Sequence, residues 1–95
     1  MMKMFTVYDS KAEAYMLPFF AKSTGEALRS FSDTCQDKNH IFAKHPEDFT
    51  IFELGTWDEQ TSNFVIYESK KSLGTAIEYA TDLFDDLDDD QLKLA

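Results

Sequence analysis

The run Phe49–Trp57, Phe-Thr-Ile-Phe-Glu-Leu-Gly-Thr-Trp, reads as a β-strand that is apolar on both faces. Successive strand side chains point to opposite sides, so Phe49, Ile51, Glu53, Gly55 and Trp57 share one face and Thr50, Phe52, Leu54 and Thr56 the other. A helix of the same chain can cover one of these faces; the second needs another cover. A chain of 95 residues builds one modest core, with a large surface fraction and a small margin of stability. The strand therefore predicts a homodimer or higher homo-oligomer.

The flanking sequence supplies the rest of an α+β domain. Residues 3–8 and 14–21 are aromatic and apolar on either side of a polar segment, as in a β-hairpin with a longer loop. Pro18 cannot donate to a ladder, so the second strand is an edge strand or is bulged there. Ser23-Thr24-Gly25-Glu26 fits a helix-starting capping box, and Ala27, Leu28, Phe31, Thr34 and Cys35 follow at helical spacing. Gln36 to His40 ends that helix, and Pro46 restricts His45 to an extended or turn conformation.

Residues 63–68 read as a strand that pairs back on Phe49–Trp57 through the polar loop 58–62. Thr75-Ala76-Ile77-Glu78 is a second capping box, continued by Ile77, Ala80, Phe84 and Leu87. The expected order is ββαββα: a four-stranded antiparallel sheet with helices on one face and aromatic residues on the other. Residues 1–81 form the single domain, and residues 82–95 an acidic C-terminal extension, helical at first and then frayed.

Charge bears on function. The formal net charge is −9, but residues 1–81 hold twelve acids against eight bases, while residues 82–95 hold six Asp and Lys93. A net-acidic chain is repelled by a polyanion, which disfavours sequence-independent duplex binding; a local basic face remains open. Cys35 is the single cysteine, so no internal disulfide forms, and no apolar run approaches the ~20 residues of a membrane span. The first residues, Met-Met-Lys-Met, run straight into strand-like alternation rather than a signal peptide. The expectation is a cytosolic protein, without membrane association or cofactor.

No residue pattern points to catalysis: there is no nucleophile motif, glycine-rich phosphate loop or carboxylate pair in an apolar setting. Cys35, His40 and His45 are evenly spaced, but the cysteine falls on a buried helix stripe, the histidines lie in a loop and a closed zinc site wants a fourth ligand. Asp86, Asp88 and Asp90 imitate the opening of a calcium loop, yet Gln91 stands where glycine should turn the chain and the twelfth-position glutamate is missing. We expect no metal.

Two binding readings remain. Tyr8, Tyr15, Lys22, Arg29, Trp57, Tyr67, Lys70 and Lys71, within a wider mixture that adds Phe20, Phe52, Lys3, Lys11 and Lys44, could stack bases and track a backbone on a four-stranded sheet, although core packing or a dimer interface accounts for the same rings. Alternatively Asp82, Asp85, Asp86, Asp88, Asp89 and Asp90 could mimic phosphates, capturing a basic partner protein or shielding a nucleic-acid site on the same chain; a plain solvated extension is the simpler account.

Two blocks, Thr6-Val7-Tyr8-Asp9-Ser10-Lys11-Ala12-Glu13-Ala14-Tyr15 running on to Pro18-Phe19-Phe20-Ala21-Lys22, and His45-Pro46-Glu47-Asp48-Phe49-Thr50-Ile51-Phe52-Glu53-Leu54-Gly55, together with Gly25-Glu26-Ala27-Leu28-Arg29-Ser30-Phe31 and Lys71-Ser72-Leu73-Gly74, carry a family likeness. Across residues 2–79 the chain resembles the small nonstructural protein of gokushovirus-type microviruses, the single-stranded DNA phages. The resemblance implies a DNA-binding or replication-associated protein of the host cytoplasm, acting in genome replication or in passage of single-stranded DNA into the capsid. It assigns no catalytic or binding residue, and it does not extend to the acidic tail.

Overall fold

The computed structural model describes residues 1–80. An antiparallel sheet of five strands is formed by β1 (Met2–Asp9), β2 (Ala14–Tyr15), β3 (Phe19–Ala21), β4 (Phe49–Trp57) and β5 (Phe64–Thr75). The strand order is β2-β1-β4-β5, with β3 beside β2 on the same edge of β1.

The fifth strand arises where one was expected, because Pro18 cuts the second strand in two. Tyr8 pairs with Tyr15 and Phe5 with Phe19, so Met16, Leu17 and Pro18 face only Thr6 and Val7 across the ladder. One extra residue is accommodated as a bulge on an edge strand, the setting in which proline is tolerated. Met16 stays anchored: its N–H donates to the Val7 carbonyl at 2.8 Å, and its carbonyl accepts from the Thr6 hydroxyl at 2.7 Å.

Helix α1 (Thr24–Cys35) starts at the expected cap, with the Ser23 hydroxyl accepting from the Glu26 N–H at 3.1 Å. Its buried residues Ala27, Phe31 and Cys35 follow the expected stripe, while the Thr34 hydroxyl turns back to the Ser30 carbonyl. Residues expected as a loop form instead the four-residue helix α2 (Ile41–Lys44) and a 3-10 turn at Pro46–Asp48. His40 caps α2, its Nδ1 accepting from the Phe42 N–H at 3.1 Å. A further helix, α3, begins at residues 76–80, and the Glu78 carboxylate accepts from the Thr75 N–H at 2.9 Å, half of the second capping box. The elements therefore run βββααββα with the 3-10 turn before β4, rather than ββαββα. The acidic residues expected as a tail, Asp82, Asp85, Asp86, Asp88, Asp89 and Asp90, lie outside the described residues.

The helices bury one face of the sheet. Val7 of β1 and Phe49 and Ile51 of β4 meet Phe31 and Cys35 of α1, Phe42 of α2 and Ala76 of α3, with Phe19, Leu28, Leu73 and Tyr79 packed around them. At roughly 25 cal/mol per Å² of apolar surface removed from water, this cluster is the main source of stability.

Alternation along β4 breaks once. Phe5 pairs with Glu53 but Met4 with Gly55, leaving Leu54 as an extra residue. The bulge reverses the side-chain pattern, so Trp57 pairs with Met2 rather than continuing the Phe49, Ile51, Glu53 face. Gly55 is required here by close approach, since a Cβ would run into the Val65 carbonyl oxygen and lie 2.9 Å from the Ile66 Cα. Strand β5 is longer than the expected 63–68 and carries its own irregularity: Ile66 pairs with Gly55 and Lys71 with Glu53, so residues 67–70 have only Leu54 opposite them.

Candidate functional site

Strand β1 is regular, so Met2, Met4, Thr6 and Tyr8 share the face turned away from α1, opposite Val7 in the helix-side core. Pairing extends that face sideways. Tyr8 is beside Tyr15, Thr6 beside Phe52, Met4 beside Phe20 and Met2 beside Trp57, and Trp57 in turn is beside Phe64.

Two groups of rings result. Tyr8 and Tyr15 have centroids 4.7 Å apart, and Tyr15 and Phe52 6.1 Å apart, edge to face. The Lys70 ammonium lies 5.4 Å from the centre of Tyr15 and 6.0 Å from that of Phe52, in cation–π range of both. Beside them Thr6, Tyr15, Met16, Pro18, Leu54 and Lys70 line a shallow recess of about 310 Å³. At the other end, Trp57 is 5.8 Å from Phe20 and 6.4 Å from Phe64. Tyr15, Phe20 and Phe64 are exposed, and Tyr8, Phe52 and Trp57 half-buried.

The helix side holds a different polar arrangement. Glu53 is buried, and both its carboxylate oxygens are engaged: Oε1 accepts from the Thr24 hydroxyl at 2.8 Å and Oε2 from the Tyr67 hydroxyl at 2.6 Å. Lys3 Nζ donates to Thr24 Oγ1 at 3.0 Å and stands 3.6 Å from Glu53. Burial pushes the Glu53 carboxyl up, but the hydrogen bonds from Tyr67 and Thr24, with the charges of Lys3 and Lys71, outweigh it and hold the group below its ordinary value. Its hydrogen bond to Glu53, then burial, raises Tyr67 above the usual tyrosine value. Lys71 Nζ lies 4.9 Å from the centre of Tyr67. With a hydrogen bond to each oxygen and the Lys3 ammonium beside it, this carboxylate is a clamp joining β1, the first turn of α1, β4 and β5.

The residues singled out for nucleic acid therefore separate. Tyr8, Tyr15, Trp57 and Lys70 lie on the helix-free face. Tyr67 and Lys71 belong with the Glu53 clamp, Arg29 is exposed on α1, and Lys22 is exposed between β3 and α1. Phe20 and Phe52 of the wider aromatic mixture also lie on this face, together with Phe64 and Leu54, which the sequence reading did not single out. The clamp was accessible from a lone carboxylate, Glu53, in register with Phe49 and Ile51. Cys35 is buried in the core, where burial pushes its thiol up to about 12. His45, Glu47 and Asp48 bring ligand atoms within 4.8 Å of one another, two of the three residues being exposed. No helix among the described residues is long and apolar enough to cross a membrane.

Residues 2–79 match the Phage ORF5 protein family, and the chain belongs to that family. It is thus a bacteriophage protein. No curated protein and no solved structure matches the chain.

Proposed function

We propose that this phage protein is a non-enzymatic single-stranded DNA-binding protein of the microvirus nonstructural type, acting in the host cytoplasm in genome replication or packaging. The observation that supports this reading is the row Tyr8, Tyr15 and Phe52 on the helix-free sheet face, with the Lys70 ammonium over two of its rings. Aromatic faces on a sheet stack bases without reading their sequence, and a nearby cation meets the backbone phosphate. Duplex DNA hides its base faces, which fits poorly with platforms of this kind.

The net charge of −9 fits the same assignment if stacking rather than counterion release carries the affinity. Titration of a single-stranded oligonucleotide at two salt concentrations tests it. The expected result is binding with a shallow salt dependence that weakens in Tyr15→Ala and Phe52→Ala; unchanged affinity in a folded double variant would remove the stacking mechanism.

The same charge also favours a second reading, an acidic module that captures a basic viral or host protein. Deleting residues 84–95 separates the two. Loss of a basic partner with negligible DNA affinity in both forms supports the module; retained or strengthened DNA binding supports the sheet face.

A further inference from the structure

Strand β5 is an edge strand among the described residues, pairing with β4 on one side. It is twelve residues long, and its Phe64, Val65 and Ile66 are 55%, 60% and 61% exposed. A long strand edge with unpaired backbone groups, opening on an exposed apolar stretch, is a template for pairing with another strand. The central residues 67–70 are also out of register with β4, which leaves them facing a single residue there.

We propose that the partner of this edge is β5 of a second copy, paired antiparallel about a twofold axis through Ser69. The charge order selects this occupant and this register. About Ser69, Glu68 of each copy faces Lys70 of the other, Ile66 faces Ser72 and Val65 faces Leu73. Shifting the axis by one residue to Glu68 or Lys70 sets like charges opposite each other on the axis. A self-complementary strand with opposite charges two residues apart is what an isologous contact needs.

Antiparallel edge pairing places the twofold perpendicular to the sheet, so both helix-free faces lie on the same side of one continuous ten-stranded sheet. Two aromatic rows then lie on a common surface, where one single strand can engage both. The contact differs from the one expected from the two-sided strand β4, because it uses the sheet edge and leaves the aromatic face open.

Sedimentation of the full chain across the micromolar range tests the proposal. The expected result is a reversible dimer that Glu68→Lys weakens by about tenfold or more and that Glu68→Lys/Lys70→Glu restores, with circular dichroism unchanged in both variants. Val65→Lys, on the exposed edge, should also weaken it. A monomer at all concentrations overturns the proposal. So does a dimer that ignores the charge reversal but dissolves in Phe52→Lys, because that dimer would be built through the aromatic face. DNA titration of the unaltered chain, at concentrations where sedimentation shows the monomer, reads the sheet-face function separately, since Phe64 and Lys70 of β5 belong to that face and a charge change at Glu68 would alter it directly.

Discussion

Ile51 and Phe52 are neighbours in β4 and illustrate the two faces of the sheet. Ile51 is 0% exposed among Val7, Phe31, Phe42 and Phe49, whereas Phe52 is half-buried beneath Lys70 and beside Tyr15. Both faces are rich in rings, so hydrophobicity alone does not distinguish them. Their surroundings do: on one side helices complete the packing and Glu53 has every oxygen engaged, while on the other the rings meet one another, a lysine and solvent. The difference teaches that the first face is organised for stability, while the second leaves aromatic surface exposed, the surface on which the proposed binding of single-stranded DNA rests.

Substitution should separate the faces in order of effect. Ile51→Ala should cost about 2–5 kcal/mol of stability, because it removes buried methyl groups from a packed cluster; chemical denaturation measures this. Phe52→Ala should cost less stability and instead weaken single-stranded DNA binding by about 1–3 kcal/mol. A Phe52→Ala protein as unstable as Ile51→Ala would show that the second face is core.

Glu53→Gln sharpens the contrast on the helix side, with an expected loss of roughly 1–3 kcal/mol at neutral pH from its charge-assisted hydrogen bonds. The folded-state value of Glu53 is depressed, so its stabilisation is present above the ordinary carboxyl value of 4.5 and is lost as pH falls through the lower folded value. Wild type and Glu53→Gln should therefore converge in stability on acidification, and a gap independent of pH would contradict the clamp. Tyr67 has the opposite displacement: its raised value favours the neutral phenol, so its contribution is present below 10.0 and lost as pH rises through the folded value.

Much of this contrast was legible in the chain. The strands, both capping boxes, the α1 stripe and the disruptive effect of Pro18 follow from local rules of spacing and donor count. The bulge at Leu54 does not, because an extra residue is defined only against the partner strand β1, and it is this bulge that turns Trp57 toward Phe20 and Phe64. Helix α2 spans too few residues for periodicity to reveal it, and His40 gains its role only by capping it. Tyr67 read as a stacking ring until Glu53, fourteen positions earlier, was found to hold its hydroxyl. Sequence named the aromatic supply; pairing decided which rings share a surface.

The smallest expected effect concerns Lys70. Lys70→Ala should reduce the slope of log affinity against log salt by about 0.7, the contribution of one neutralised single-strand phosphate, while leaving stability nearly unchanged. A larger fall in slope would mean that further cations track the backbone.

The single tryptophan offers the most direct test of the central claim, because Trp57 sits on the helix-free face between Phe20 and Phe64. Emission from Trp57 should be followed while the full chain is titrated with a single-stranded oligonucleotide, with binding monitored in parallel by anisotropy of a label on the DNA. Base stacking on this face should change the emission with the same midpoint as the anisotropy, and Phe52→Ala should move both midpoints together. Binding that leaves Trp57 emission unchanged and is indifferent to Phe52→Ala, or no binding at low salt, would contradict the assignment of this face to single-stranded DNA.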